Sequence, residues 1–183
     1  MDRRLIVVEQ PIGTVVSRNP RYRIEDPYLR FWLAYLADKI SAIEAGRGDV
    51  VLKTINDGWF AWRGRAVEPV IRDLLWRSRN IIPEVGTIGG WWNRTNSVEV
   101  DLVGADSKPV ARRISFVGSI KWKERTQFEF TDFASLVESR KSVPGAADAP
   151  LIAVSRSGFG SNVSAIGDLI QVTPEQLIAT EPL

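Results

Sequence analysis

The stretch Val98–Val103, Val-Glu-Val-Asp-Leu-Val, decides the fold because its apolar and acidic residues alternate. A period of two is typical of a β-strand with one face in the core, and it places Glu99 and Asp101 together on the other face. A polar turn follows at residues 105–109, and a second alternating segment runs over Ile114–Trp122. The sequence therefore predicts a β-hairpin that carries two acids on one side.

The second strand adds a serine and a lysine to this picture. Its apolar face is predicted to hold Ile114, Phe116, Gly118, Ile120 and Trp122. Ser119 and Lys121 then lie on the opposite face. The apolar face of the first strand is predicted to hold Val98, Val100 and Leu102. If the apolar faces of both strands pack on one core, Ser119 and Lys121 converge with Glu99 and Asp101 on one side of the sheet.

A helical section precedes these strands. Asp26 is a good N-cap and Pro27 fits the first helical position, and apolar residues at helical spacing continue as far as Gly46. A second helix is predicted at about residues 50–62.

A third helix is predicted from Ala66 to about Arg79, after a break at Arg63-Gly64-Arg65, with Pro69 tolerated in its first turn. Glu68 lies beside the apolar stripe of this helix, so it can face the sheet at the edge of the core.

Both ends of the chain also carry strand patterns. Leu5–Val8 and Arg21–Ile24 predict an N-terminal β-hairpin. Later in the chain, a short strand is predicted at residues 88–92 and a helix at 132–141. The continuous apolar runs at 151–154 and 169–172 are typical of buried parallel strands. Thr173 and Gln176 have the spacing of a capping box for a final helical turn.

Composition restricts the chemistry. The 183 residues include no cysteine and no histidine, which excludes disulfides, thiolate or imidazole catalysis and zinc sites built on these side chains. Only oxygen ligands remain for a metal, which favours Mg²⁺, Mn²⁺ or Ca²⁺. The lack of cysteine suits a reducing cytoplasm, and we expect no membrane span, since no apolar run reaches the ~18–20 residues required.

The charge is small overall, at +2, but unevenly placed. Residues 104–125 contain six basic residues against two acids. Either this charge only keeps the hairpin soluble, or it forms a contact surface for nucleic acid. The candidate nucleic-acid contacts are Lys108, Arg112, Arg113, Lys123 and Arg125.

The order helix, strand, hairpin strand, helix, strand, with acids at these points, is similar to the PD-(D/E)XK nuclease superfamily. Three stretches more specifically resemble DUF234, a domain of unknown function that forms the C-terminal portion of archaeal and bacterial P-loop ATPases. They are residues 22–32, residues 64–75 (Gly-Arg-Ala-Val-Glu and Arg-Asp-Leu-Leu), and residues 89–103 (Gly-Gly-Trp-Trp and Val-Glu-Val-Asp-Leu-Val). The resemblance implies an α/β fold with a restriction-endonuclease-like mixed sheet flanked by helices, a helical N-terminal section and an N-terminal β-hairpin.

The resemblance also implies roles for residues. Glu68, Asp101, Ser119 and Lys121 would occupy the catalytic positions, and Glu68, Glu99 and Asp101 would bind Mg²⁺ or Mn²⁺. The family pattern at the hairpin is acid-x-Lys, whereas this chain has Ser119-x-Lys121. Serine is a weak neutral ligand, so phosphodiester hydrolysis is expected to be weak or lost.

Two other interpretations stay open. In one, the domain is retained as a non-catalytic module that binds DNA or protein and regulates the ATPase. In the other, it is a purely structural or regulatory cap on the ATPase without nucleic-acid contact. The site residues also have plain structural partners: Glu68 can pair with Arg72 one helical turn on, and Lys121 can pair with Asp101 across the hairpin.

The resemblance implies a domain organisation as well. Residues 1–25 would be the hairpin remnant of an upstream winged-helix domain, 26–80 a helical section that ends in the Glu68 helix, and 81–183 the nuclease-like core. Residues 26–183 would form one domain. DNA and an upstream P-loop ATPase domain are the expected partners, since this chain has no Walker A pattern of its own. The oligomeric state and whether Met1 is the natural start are left open.

Overall fold

A computed structural model of the chain describes residues 5–78 and 80–179. Its elements in chain order are β1 (Ile6–Glu9), β2 (Arg21–Ile24), α1 (Pro27–Tyr35), α2 (Ile40–Glu44), α3 (Gly48–Arg77), β3 (Thr87–Trp92), β4 (Glu99–Ala105), β5 (Ile114–Lys121), α4 (Phe130–Ser142), β6 (Leu151–Ser155), α5 (Ser161–Ser164), β7 (Leu169–Val172) and α6 (Pro174–Ile178). The chain divides into two compact units. The first combines the residues up to Glu9 with Arg21–Ala66, and the second combines Gln10–Pro20 with the residues from Val67 onward.

The first unit contains the predicted N-terminal hairpin. Strands β1 and β2 pair antiparallel, from Ile6 opposite Ile24 to Glu9 opposite Arg21, so the hairpin is confirmed. Residues 1–4 of the predicted hairpin remnant lie outside the described residues. Asp26 is the N-cap of α1, as predicted, because its carboxylate accepts a hydrogen bond from the backbone N–H of Leu29 at 2.8 Å.

The expectation of one helix from Asp26 to Gly46 is wrong, because the chain turns between α1 and α2. No glycine or proline lies at this break. The last residue of α1, Tyr35, is buried and packs edge-on against Trp62 with their ring centroids 6.3 Å apart. The helix therefore ends where Tyr35 packs inside the first unit, and not at a helix-breaking glycine or proline.

The predicted break at Arg63-Gly64-Arg65 is also wrong. Helix α3 is continuous from Gly48 to Arg77 and includes both Gly64 and Pro69. The boundary between the two units falls within this helix, between Ala66 and Val67. The predicted helix end at Arg79 lies outside the described residues.

The second unit is built on a five-stranded mixed sheet with the order β3-β4-β5-β6-β7. Strands β3, β4 and β5 are antiparallel neighbours, whereas β5, β6 and β7 run parallel. The two apolar runs predicted as parallel strands are therefore confirmed. The capping box predicted for Thr173 and Gln176 is also present, at the start of α6.

Helices cover both faces of this sheet. Alternate residues of β6 belong to two apolar clusters, with Ala153 in one and Ile152 in the other. The first cluster includes Leu136 from α4, and the second includes Leu75 from α3 and Leu177 from α6. The predicted mixed sheet flanked by helices is thus confirmed at this level of detail.

The strict alternation predicted for β4 is wrong. Val98 and Val100 pack in the first apolar cluster, whereas Leu102 packs in the second. The reason is a shift in register with β3: Gly89 lies opposite Val103, but Trp91 lies opposite Val100, so β4 contains an extra residue. A similar shift at the start of β5 separates Ile114 from Phe116.

No helix among residues 5–78 and 80–179 combines the length and the apolar character needed to cross a bilayer.

Candidate functional site

The register shift in β4 determines how Asp101 is used. The ladder between β4 and β5 ends at the pair of Leu102 and Gly118. Asp101 lies one residue beyond this pair. The Asp101 carboxylate reaches across to β5 and accepts hydrogen bonds from the backbone N–H of Ile120 at 2.7 Å and from the Ser119 hydroxyl at 3.0 Å. One oxygen of the Asp101 carboxylate thus accepts the backbone N–H of Ile120, in the place of a backbone carbonyl of a paired strand.

Burial raises the pKa of the Asp101 carboxyl above its ordinary value, since the charged form loses its water. The hydrogen bonds from Ile120 and Ser119 and the positive charge of Arg72 oppose this shift. The negative charge of Glu99 adds to it. The Asp101 carboxyl therefore lies in a poorly hydrated position, where two donors of β5 bind one of its oxygens.

Arg72 connects α3 to the same point of the sheet. Its Nε donates to the backbone carbonyl of Asp101 at 3.0 Å, where the ladder with β3 is interrupted. Its Nη2 donates to the carboxylate of Glu68 at 3.2 Å. The side chains of Arg72 and Glu68 are only 15% and 24% exposed, so this is a partly buried pair. The plain pairing of Glu68 with Arg72 is confirmed.

Gly90 makes room for this guanidinium. A Cβ atom at position 90 would lie 3.0 Å from Arg72 Nη2 and 3.2 Å from the carbonyl oxygen of Val100. The glycine in β3 therefore serves the close approach of Arg72 to the sheet.

Lys121 does not pair with Asp101, so that expectation is wrong. Its ammonium group forms an ion pair with Asp132, in the first turn of α4. The same carboxylate oxygen of Asp132 accepts the backbone N–H of Glu129 at 2.8 Å as part of the helix cap. Since the Lys121 side chain is only 12% exposed, this ion pair is partly buried.

Glu68 and Asp101, two of the three candidate metal ligands, each have a protein hydrogen-bond donor. Among the residues that the structure describes, no group of three or more acidic side chains is placed to hold a metal. Glu68 is bound to Arg72 and Asp101 to β5, whereas Glu99 is exposed at the start of β4. Mg²⁺ requires carboxylate oxygens and water in near-octahedral order, and this arrangement instead gives each buried carboxylate a protein donor.

The candidate nucleic-acid contacts lie in two groups at opposite ends of β5. Lys108, Arg112 and Arg113 belong to the β4–β5 turn, before the strand, whereas Lys123 and Arg125 follow it. All five are exposed. The eight residues of β5 separate the groups by roughly 25 Å at about 3.3 Å per residue. The structure therefore does not bring the five residues together on one small patch.

The comparison with protein families matches residues 32–133 to DUF234, described as archaeal and bacterial proteins of unknown function. This range is more than half of the 183 residues. The chain belongs to the DUF234 family. The DUF234 match begins in α1 and ends in α4, so it includes Glu68, Asp101, Ser119, Lys121 and Asp132.

One curated relative is the uncharacterized protein MJECL04 of Methanocaldococcus jannaschii. It is 30% identical over 114 residues, which cover 61% of this DUF234 chain and 24% of that protein. This chain thus spans about a quarter of the length of the relative it matches. No solved structure matches the DUF234 chain.

Two residues of the site were not predicted in their present roles. Asp132 was expected only at the start of a helix, and its pairing with Lys121 depends on how α4 packs beside β5. Arg72 was expected to pair with Glu68, but not to bind the backbone of β4 in addition. A hint was available for Asp132, because Glu129 and Asp132 have capping-box spacing, which placed this acid near the end of β5.

Proposed function

We propose that this DUF234 domain is a nuclease-like module that binds DNA without cleaving it. The observation that carries the proposal is that the candidate catalytic groups are engaged with protein partners. Glu68 binds Arg72, Asp101 binds Ser119 and β5, and Lys121 binds Asp132. The elements α3, β4, β5, α4 and β6 follow the order helix, strand, hairpin strand, helix, strand of the family resemblance, with β3 as an additional strand, and this order supports a restriction-endonuclease-like fold.

Phosphodiester cleavage would make different demands on these groups. A metal-dependent nuclease needs carboxylate oxygens directed at the ion and a lysine directed at the developing charge. Here Lys121 would first have to leave Asp132, and Asp101 could offer a metal only the carboxylate oxygen that Ser119 and Ile120 do not bind. Leaving one member of a partly buried ion pair or hydrogen bond without its partner is costly. These contacts favour a structural role for the residues.

The case for DNA as the ligand comes from the exposed cations. Within the described residues, no ion pair involves Lys108, Arg112, Arg113, Lys123 or Arg125. Exposed cations that are not held in ion pairs can contact phosphates and release counterions. We further propose that the domain acts in the cytoplasm beside an upstream P-loop ATPase domain, which it regulates.

Weak hydrolysis that depends on Mg²⁺ or Mn²⁺ is a second candidate function. One contact favours it: Asp132 brings an acid to Lys121 near the end of β5, where Ser119 replaces the acid of the family pattern. Under this alternative, Asp132 would be a substitute for the missing acid.

Incubation with supercoiled and linear DNA tests both candidates. The wild type, Asp101→Asn and Asp132→Asn are compared with Mg²⁺, with Mn²⁺ and with EDTA, and binding is measured on the same DNA. We expect salt-sensitive binding and no cleavage in all three proteins. Cleavage by the wild type that either substitution abolishes would replace the proposal with the second candidate. Absence of DNA binding at low salt would contradict the proposal itself.

A further inference from the structure

The β4–β5 turn, residues 106–113, is held in one shape by its single acid. The Asp106 carboxylate accepts hydrogen bonds from the backbone N–H groups of Arg112 at 3.0 Å and Arg113 at 3.2 Å. These bonds, with that of Arg113 the largest cause, lower the pKa of Asp106. The acid is thus occupied by the backbone, and the side chains of both arginines remain exposed.

A second set of hydrogen bonds fixes the turn to the rest of its unit. The backbone N–H of Ala111 donates to the carbonyl of Gly13 at 2.9 Å. Within the turn, the Ser107 hydroxyl donates to the carbonyl of Val110 at 3.0 Å. A turn fixed in this way loses little conformational entropy when it binds a ligand.

The charge of the turn is positive and is not paired within the protein. Residues 106–113 contain three basic residues, Lys108, Arg112 and Arg113, against Asp106 alone. Across the described ranges, none of the three cations forms an ion pair. Their charges are therefore available to an external anion.

The other end of β5 differs in its balance of charge, although its exposed Lys123 and Arg125 also form no ion pair within the described residues. Residues 121–132 contain three basic residues and three acids. Lys121 is paired with Asp132, and the nearby Arg156 is paired with Glu124 at 2.9 Å. This end of the strand, where the nuclease pattern predicted the active site, has no excess of positive charge over these residues.

The chemistry of the turn selects the form of the nucleic acid. Residues 106–113 include no aromatic side chain that could stack on a base. Lysine and arginine on a fixed turn suit the phosphate backbone, and duplex DNA presents phosphates at the higher density. Arg113 also lines a shallow depression with two acids, Glu84 and Asp148, which weakens its attraction for phosphate.

We infer that Lys108 and Arg112 of this turn are the main contacts to the phosphates of duplex DNA, and that the opposite end of β5 is not the interface. The inference rests on the proposed DNA-binding function. It implies binding that is independent of base sequence, falls steeply with salt and is tighter for a duplex than for the corresponding single strand.

The test compares two matched double variants, Lys108→Gln/Arg112→Gln in the turn and Lys123→Gln/Arg125→Gln after β5. Fluorescence anisotropy gives the dissociation constant for two unrelated duplexes and one single strand over a series of salt concentrations. Far-ultraviolet circular dichroism checks that each variant is folded. Since each lost phosphate contact lowers the slope of log K against log salt by about 0.9, the turn variant should lose about 1.8 from the slope. We expect Arg113→Gln to weaken binding less than Arg112→Gln.

The outcomes distinguish failure of the inferred interface at the turn from failure of the proposed DNA-binding function. Loss of affinity in the turn variant alone, equal for both duplexes, supports the inference. Loss in the Lys123→Gln/Arg125→Gln variant alone overturns the inference and leaves DNA binding in place. Preference for the single strand, abolished by replacing the exposed Phe130 with alanine, also overturns it. If the wild type binds no DNA at low salt, the proposed function fails first.

Discussion

The Ser119 hydroxyl donates a hydrogen bond of 3.0 Å to the Asp101 carboxylate, across the end of the β4–β5 ladder. The serine that interrupts the acid-x-Lys pattern thus binds the acid of the neighbouring strand. This contact converts a position expected to hold a metal ligand into a hydrogen-bond donor for the partly buried carboxyl of Asp101.

The first prediction concerns this hydrogen bond. Ser119→Ala removes one donor from a carboxylate that is poorly hydrated, so the free energy of unfolding should fall by about 1.5–3 kcal/mol at neutral pH. Ser135→Ala is the matched control, because the Ser135 hydroxyl is exposed and bonds only to its own helix, at Thr131. Urea unfolding measures both. Equal stability of the two variants would show that the Ser119 hydroxyl has no structural role.

The second prediction follows from the raised pKa of Asp101. Because the folded protein holds this proton more tightly than the unfolded chain, stability associated with Asp101 decreases as pH rises from 3.8 through the folded-state pKa. The penalty is fully present above the folded-state pKa, decreases as pH falls below it, and is absent below the unfolded value of 3.8. Asp101→Asn cannot titrate. The stability of the wild type relative to Asp101→Asn should therefore improve as pH is lowered from 7 towards about 4.

Chemical denaturation over this pH range provides the measurement. The comparison with Asp101→Asn removes the contributions of other titrating groups, including Asp106, whose pKa is lowered. A difference that does not change with pH, or that changes in the opposite direction, would contradict the raised pKa of Asp101 in the folded protein.

The features that could be predicted from the sequence are those formed by residues close to one another along the chain. The capping box at Thr173 and the strands β6 and β7 follow from contiguous patterns, and they were predicted closely. The pairing of Glu68 with Arg72 is one helical turn long and was also available from spacing. Each of these features depends on neighbours within a few residues.

The register shift in β4 and the ion pair of Lys121 could not be predicted, because they depend on packing between segments that are distant in the sequence. One extra residue in β4 moves Leu102 to the opposite apolar cluster, and no residue type in Val98–Val103 indicates this bulge. Pairing of Lys121 with Asp132 requires α4 to return beside β5. Alternation with a period of two indicates neither the extra residue in β4 nor the packing of α4 beside β5. It therefore predicted that the acids converge on one face of the sheet, and the register shift changes this arrangement.

The third prediction concerns the ion pair between Lys121 and Asp132. A double-mutant cycle with Lys121→Met and Asp132→Asn should give a coupling free energy of about 1–2 kcal/mol, between the values for exposed and buried pairs. Methionine keeps the apolar stem, and asparagine keeps an acceptor for the N–H of Glu129. The control cycle uses the exposed pair of Lys141 and Glu138 on the same helix, for which about 0.2–0.5 kcal/mol is expected. Similar coupling in both cycles would refute the special position of Lys121.

The fourth prediction uses two glycines. Gly90→Ala should destabilise the second unit by about 1–3 kcal/mol, because the added methyl group crowds Arg72 Nη2 and the carbonyl of Val100. Gly64→Ala is the control. Gly64 lies in α3, and beyond its chain neighbours and the adjacent helix backbone no heavy atom lies within 4 Å of the added carbon, so Gly64→Ala should stabilise the protein by about 0.5–1 kcal/mol. Thermal unfolding of both variants provides the comparison, and a neutral Gly90→Ala would contradict the close approach of Arg72.

The central claim is that this domain binds DNA through its own cations and without a metal ion. The most direct measurement is the affinity of the wild-type chain for one fixed duplex, in EDTA and in millimolar Mg²⁺ at matched ionic strength, with the DNA recovered and examined for cuts. We predict equal affinities and intact DNA. Binding that appears only with Mg²⁺, or a duplex recovered as fragments, would contradict the claim.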